Sequence, residues 1–147
     1  MDYNAIDILL VEDNINDAEL AIRELNKNKL NATLYHVKDG EEALDFIFAT
    51  GKYEGLREVQ YIPKVILLDI QMPKVNGIEV LEKIKSDSRT KAIPVVILTS
   101  SNQSPDITKC YNLGVNSYIV KPVDFENYAK TIKELGLYWL LLNRPPE

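Results

Sequence analysis

The sequence predicts an α/β domain: a doubly wound, five-stranded parallel sheet in the order 2-1-3-4-5 with helices on both faces. Three observations predict it. Strand-like and helix-like segments alternate five times without a long interruption, the pattern of successive βαβ units with right-handed crossovers. Two of the strand-like runs, Val65-Ile66-Leu67-Leu68 and Pro94 to Thr99, are continuously apolar, as expected of strands buried on both faces. Several runs end directly on chemically useful side chains, where open α/β sheets bind their ligands. Alternation does not itself order the strands; 2-1-3-4-5 is the natural doubly wound candidate and sets strands one and three side by side.

Ile6 to Val11 is an apolar run broken only by Asp7, and it ends at Glu12-Asp13. Asn14 offers a side-chain cap for a helix over Ile15 to Lys27, whose Ala18, Ala21, Ile22 and Leu25 recur at helical spacing. Ala32 to Val37 reads as strand two. Asp39-Gly40 marks a turn into helix two, with Ala43, Leu44, Ile47 and Phe48 as its apolar face. Between Gly51 and Pro63 the periodicity dissolves into a loop longer than the usual connection. Strand three follows, running to Asp69 and stopped by Pro73. Asn76-Gly77 opens a helix that turns Ile78, Leu81 and Ile84 inward. After strand four, Ser104-Pro105-Asp106 reads as a cap with proline at the first helical position. Helix four then buries Ile107, Cys110 and Tyr111 and ends at Gly114. Ser117 to Val120 is a short strand five, closed by Lys121-Pro122. A last helix from Asp124 carries Phe125, Tyr128, Ala129, Ile132 and Leu135 at steps of three and four.

The 147 residues give room for one domain with a real core. A net charge of −5 disfavours a nucleic-acid or anionic membrane surface as main partner. The lone Cys110 cannot form an internal disulfide and fits a reducing compartment. The amino terminus lacks the basic-then-apolar pattern of a secretory signal, and no apolar run approaches the ~20 residues that cross a bilayer. The expected compartment is the cytoplasm.

At the carboxyl edge, strand one delivers Glu12 and Asp13, strand three Asp69, strand four Thr99 and strand five Lys121. Taken alone, Asp69 could equally be a strand-end residue that caps the next turn. Three carboxylates in one crevice repel unless a cation compensates them. Oxygen ligands select a hard ion, and a site with few protein ligands suits Mg²⁺. An ammonium and a hydroxyl alongside fit the oxygens of a phosphoryl group. The set therefore suits phosphoryl transfer to a carboxylate, with Asp69, central among the five, as nucleophile.

These residues resemble the receiver domain of two-component response regulators, from about Ile6 to Leu135. The resemblance rests on Leu10-Val11-Glu12-Asp13-Asn14, Leu67-Leu68-Asp69-Ile70-Gln71-Met72-Pro73, Asn76-Gly77, Pro94-Val95-Val96-Ile97-Leu98-Thr99-Ser100, Gly114-Val115 and Tyr118-Ile119-Val120-Lys121-Pro122. Each is weak alone; all of them in order on successive strand ends are specific. The resemblance implies the flavodoxin-like receiver fold and a phosphoryl group accepted by Asp69 from a phosphohistidine on a sensor histidine kinase. It implies Mg²⁺ held by Glu12, Asp13, Asp69 and the backbone carbonyl of Gln71. It further implies that Thr99 and Lys121 contact the phosphoryl group, that the Tyr118 ring turns inward as Thr99 moves, and that the bond before Pro122 is cis. Gln71 and Ser101 hold the positions that tune hydrolysis of the acyl phosphate, and both are neutral and polar here.

The chain divides into residues 1–136, the receiver, and residues 137–147, a C-terminal extension without an output domain. The extension and the long segment before strand three are similar to the small regulators that serve bacterial phytochrome kinases. Trp139 continues the helix-five stripe, while Leu137, Tyr138, Leu140, Leu141 and Leu142 surround the axis with apolar side chains. Such a segment either folds back over its own domain or forms an interface. Homodimerisation through helix four, strand five, helix five and the tail, with Tyr138, Trp139 and Leu141 in contact, is the favoured reading.

Other residues read as structural. His36 lies on strand two, away from the expected edge, and Cys110 reads as packing. Asp39, Glu41 and Glu42 favour the positive end of helix two. Asp17 reads as solvated, with a supporting role near the acidic pair as the alternative. A metal-dependent phosphatase of the haloacid-dehalogenase type would resemble Asp-x-Asp, but the second position is Gln71. A flavin-phosphate binder would not place Glu12-Asp13 where the phosphate sits. A receiver serving as a constitutive interaction module has no need of all five edge residues.

Overall fold

The computed structural model describes residues 2–27, 32–72 and 74–144. Pro73, which closes the central apolar run, and the end of the tail at Pro145 to Glu147 lie outside the described residues. Strands β1 (Ile8–Val11), β2 (Leu34–Val37), β3 (Val65–Leu68), β4 (Val95–Thr99) and β5 (Ser117–Val120) alternate with helices α1 (Ile15–Lys27), α2 (Gly40–Phe48), α3 (Gly77–Ser86), α4 (Ser104–Asn112) and α5 (Phe125–Leu137). All pairings are parallel and the sheet order is β2-β1-β3-β4-β5, as expected.

Period-two alternation along the buried strands feeds two cores. Leu9, Val11, Ile66, Leu68, Val95 and Ile97 face α2, α3 and α4 through Phe46, Val80, Leu81, Ile84 and Cys110. Ile8, Leu10, Val65, Leu67, Val96 and Leu98 face α1 and α5 through Ala18, Leu20, Ala21, Leu25, Tyr128 and Ile132. The register sets Val11 opposite both Val37 and Leu68, and Leu68 opposite Ile97. Glu12 and Asp69 therefore leave the sheet at one level.

Helix starts follow the sequence closely. Asn14, Asp39, Asn76 and Asp124 each accept a hydrogen bond from the backbone N–H three residues on. Helix α4 departs from this. Ser104 is its first helical residue rather than its cap; Gln103 occupies the cap position without a side-chain bond.

Several expectations are corrected. Tyr111, expected to be buried, is 51% exposed, and Phe125, the first residue of the stripe read for the last helix, is 62% exposed. Helix α4 packs against the edge strand β5 and, among its residues, only Cys110 is fully buried; periodicity marks a stripe but not whether anything covers it. The peptide bonds of the described residues include no cis bond, so the bond before Pro122 is trans; X–Pro amides prefer trans by only ~0.5–1 kcal/mol, too little for local sequence to dictate the isomer. The 51–63 segment is packed rather than a plain loop. Its Tyr53 sits in an aromatic cluster with Tyr3, Tyr35 and Phe46. Its Arg57 is buried against the Phe46 ring and donates to the carbonyls of Tyr3, Phe46, Ile47 and Tyr61.

The tail continues α5 as a π-helical turn over Tyr138–Leu142. Trp139, expected at an interface, is instead buried in the α1/α5 core, with Leu140 packed against the same cluster. Tyr138, Leu141 and Leu142 remain exposed. Trp139 lies four residues past Leu135, on the stripe that faces the sheet, and its large ring reaches the core that α5 already covers.

Candidate functional site

Asp69 leaves β3 on a buried backbone, its N–H held by the Val11 carbonyl. Its Oδ1 accepts the Thr99 hydroxyl at 2.7 Å and the Gln71 backbone N–H at 2.9 Å, and its Oδ2 accepts Lys121 Nζ at 3.1 Å. The one carboxylate thus caps its own turn through the Gln71 N–H and also faces Thr99 and Lys121. Glu12 is buried; its Oε2 accepts the Asn14 N–H and its Oε1 lies 2.6 Å from Lys121 Nζ. Asp13, directly after it, is exposed. One oxygen from each of Glu12, Asp13 and Asp69 falls within 4.8 Å of the others. An all-oxygen, trianionic donor set with one open side fits a hard divalent cation that keeps part of its water shell.

Lys121 reaches this edge because its backbone N–H closes on the Thr99 carbonyl at 2.7 Å, extending the β4–β5 ladder by one residue. Burial alone would lower the pKa of its ammonium. The hydrogen bond with Glu12 and the charges of Asp69 and Glu12 outweigh this and hold it above the ordinary lysine value. Burial pushes Glu12 up to about 7, helped by the negative charge of Asp69 and opposed by Lys121. A divalent cation would have to displace a proton there near neutral pH.

From Thr99 the hydrogen bonds run outward. Ser101 N–H reaches Thr99 Oγ1 at 3.4 Å, and the Ser101 hydroxyl donates to Asp106 on α4 at 2.6 Å. The Tyr118 hydroxyl donates to the Ser101 carbonyl at 2.8 Å, with its ring packed against the α2–α4 core. The Ser100 hydroxyl donates to the Gln71 side chain across the β3 and β4 ends. Thr99 is therefore wired to α4 and β5 through one loop.

Two residues stand nearer the edge than the favoured sequence reading put them, and for Asp17 the alternative reading, a supporting role, fits better. Asp17, taken as solvated, accepts Lys121 Nζ at 3.0 Å. The signal is its place on the first turn of α1, where side chains lean back toward the helix start and so toward Glu12-Asp13. His36, expected away from the edge, has its Nε2 at 2.7 Å from the Glu12 carbonyl oxygen. A carbonyl only accepts, so Nε2 carries the hydrogen.

The family model described as the response regulator receiver domain matches residues 8–133. The chain belongs to the response regulator receiver family. This receiver is 41% identical over 139 residues to the probable methanogenesis regulatory protein FilR2 of Methanothrix harundinacea, covering 95% of this chain and 86% of that one. It is 36% identical over 133 residues to the response regulator Rcp1 of Synechocystis, covering 90% and 88%. Its structure is similar to that of the phosphorylated cyanobacterial phytochrome response regulator RcpA, with a TM-score of 0.89, 36% identity and coverage of 97% and 99%. The Mn²⁺-bound form of Rcp1 matches with a TM-score of 0.89, 34% identity and the same coverage. The protein is a response regulator of two-component signalling, a signalling protein whose family accepts phosphoryl groups from histidine kinases. Among the described residues, no helix is long and apolar enough to cross a membrane.

Proposed function

We propose that Asp69 is the phosphoacceptor of this response regulator and that its phosphorylation is passed on as altered protein contacts at α4, β5 and α5. One observation carries the reading: Thr99 and Lys121 both bond the Asp69 carboxylate, with Glu12 and Asp13 grouped beside it on the same edge. The Asp69 carboxylate forms the O–P bond as the N–P bond of a phosphohistidine breaks, and the imidazole leaves with the electron pair. Glu12, Asp13 and Asp69, with the Gln71 backbone carbonyl, would hold Mg²⁺, which draws negative charge from the phosphoryl oxygens in transfer. Lys121 pairs with a phosphoryl oxygen. Thr99 exchanges its bond to Asp69 Oδ1 for one to the new group. That movement pulls on Ser101 and, through it, on Asp106 and Tyr118, biasing the α4–β5 surface between two arrangements.

The partner is a histidine kinase, and we assign it to the phytochrome class in the cytoplasm on the likeness to RcpA. The receiver spans residues 1–136 and the extension residues 137–147. Exposed Tyr111, Val120, Val123, Phe125, Tyr138, Leu141 and Leu142 support a homodimer face, from which Trp139 is now excluded. Self-hydrolysis of the acyl phosphate, slow beside its transfer, resets the switch.

Acetyl phosphate tests the acceptor. Wild-type protein with Mg²⁺ gains one phosphoryl group by intact-mass measurement, and neither metal-free protein nor Asp69→Asn gains any. Labelling that persists in Asp69→Asn would refute the assignment.

A further inference from the structure

We infer that Asp17 is a positioning residue for phosphoryl transfer, acting through Lys121. The inference rests on the reading of Asp69 as phosphoacceptor and extends it to a side chain outside the five edge residues. A lysine ammonium has three N–H donors. Here Glu12 Oε1, Asp17 Oδ2 and Asp69 Oδ2 lie at 2.6, 3.0 and 3.1 Å from Lys121 Nζ, so all three donors are taken.

The three acceptors differ in what else they do. Glu12 and Asp69 belong to the acidic group that can hold a cation, and Asp17 does not. A cation drawing on Glu12, and a phosphoryl group on Asp69, would both alter how those two hold the ammonium. Asp17 keeps its bond in either state. It is also anchored independently of the reaction. Its backbone N–H donates to the Asn14 cap at 3.0 Å, and its carbonyl accepts the Tyr128 hydroxyl of α5 at 3.4 Å. Asp17 and Lys121 line one open groove of about 350 Å³ between α1 and the β5–α5 connection, together with Val123 and Phe125. Without Asp17, the ammonium has only Glu12 and Asp69 to hold it, and its place shifts whenever a cation or a phosphoryl group draws on either. With Asp17, a third carboxylate fixes it beside Asp69 whatever the other two are doing.

The ion pair is partly exposed, with side-chain accessibility of 9% for Lys121 and 34% for Asp17, so the effect is moderate. Labelling rates with acetyl phosphate at saturating Mg²⁺ and donor test it in four proteins: wild type, Asp17→Asn, Asp17→Ala and Asp69→Asn. Asp17→Ala is expected to label about fivefold more slowly. Asp17→Asn, which keeps an acceptor oxygen and loses the charge, is expected to recover more than half of that loss. The Asn14 cap and the Tyr128 contact use the backbone of residue 17, which both variants keep, and the near-isosteric Asn reports even if the alanine variant folds poorly. Equal slowing in Asn and Ala would overturn positioning in favour of bulk charge, and wild-type rates in both would overturn any role. Labelling of Asp69→Asn would instead sink the underlying acceptor reading, so the two failures are distinguishable.

Discussion

At the scale of single residues, one carboxylate does two jobs. Asp69 fixes its own turn through the Gln71 N–H and presents its other oxygen to Lys121. Its chemistry is legible in the sequence because Thr99 ends its strand and Lys121 directly follows one, and a strand end has only one edge to occupy. Asp17 is less legible, since an acid in a first helical turn is already explained by the helix dipole. His36 is hidden for a different reason: its bond goes to a backbone carbonyl, which no side-chain pattern records. Glu12 gives the first prediction. Its carboxyl is raised from the ordinary 4.5 to about 7 in the fold by burial. Between those values the folded state holds a proton that the unfolded chain has released. Stability of the metal-free protein therefore falls as pH rises through this window, by up to about 3 kcal/mol. Thermal melts between pH 5 and 7.5 are expected to show this slope in wild type and a flatter one in Glu12→Gln. Divalent-metal affinity, measured by titration calorimetry, moves the other way and weakens as pH drops below about 7, because the cation then competes with a proton.

At the scale of elements, alternation and capping residues place the five strands and the five α-helices, with α4 capped at Gln103 instead of Ser104, and most of the other errors are errors of coverage. Tyr111 and Phe125 sit on proper helical stripes, yet no element lies over them. The 51–63 segment fails for the converse reason: it has no period, so nothing in its composition announces that Tyr53 and Arg57 are buried. Arg57 ties the carboxyl end of α2 to the segment and to the amino-terminal residues by donating to four carbonyls. Arg57→Ala removes a donor from four carbonyls and the packing on the Phe46 ring, and denaturant unfolding is expected to show a loss of about 3 kcal/mol. Two glycines matter for close approach. A Cβ on Gly77 would overlap the Asp69 carbonyl oxygen, and one on Gly40 would overlap the Val75 carbonyl oxygen. Gly77→Ala must therefore shift the backbone that aims Asp69. Its expected cost is about 1–3 kcal/mol in thermal unfolding, together with slower phosphoryl labelling, whereas Gly40→Ala is expected to cost stability chiefly.

At the scale of the whole molecule, the sheet order is not written in the alternation; it is the natural doubly wound candidate, which the structure matches. The two-faced core is read from the sequence because doubly buried strands need cover on both sides. The fate of the tail is not, since an all-round apolar segment is compatible with both of its readings. The structure divides it: Trp139 belongs to the core, while Tyr138, Leu141 and Leu142 are exposed at the carboxyl end of α5, the end opposite Val123 and Phe125. Sedimentation velocity is expected to show a dimer that Leu141→Asp, a change at a side chain 62% exposed, converts to monomer without lowering the melting temperature. Coupling to the site predicts that beryllium fluoride with Mg²⁺ shifts the dimer equilibrium. An unchanged equilibrium would mean a permanent dimer and leave α4 as the output surface.

The central claim is that this edge exists to modify one carboxylate. Phosphorylated protein treated with borohydride converts an acyl phosphate at aspartate to homoserine, which peptide mass spectrometry locates. The account predicts homoserine at position 69 and nowhere else. Homoserine at position 13, or full phosphoryl incorporation with position 69 unmodified, would contradict it.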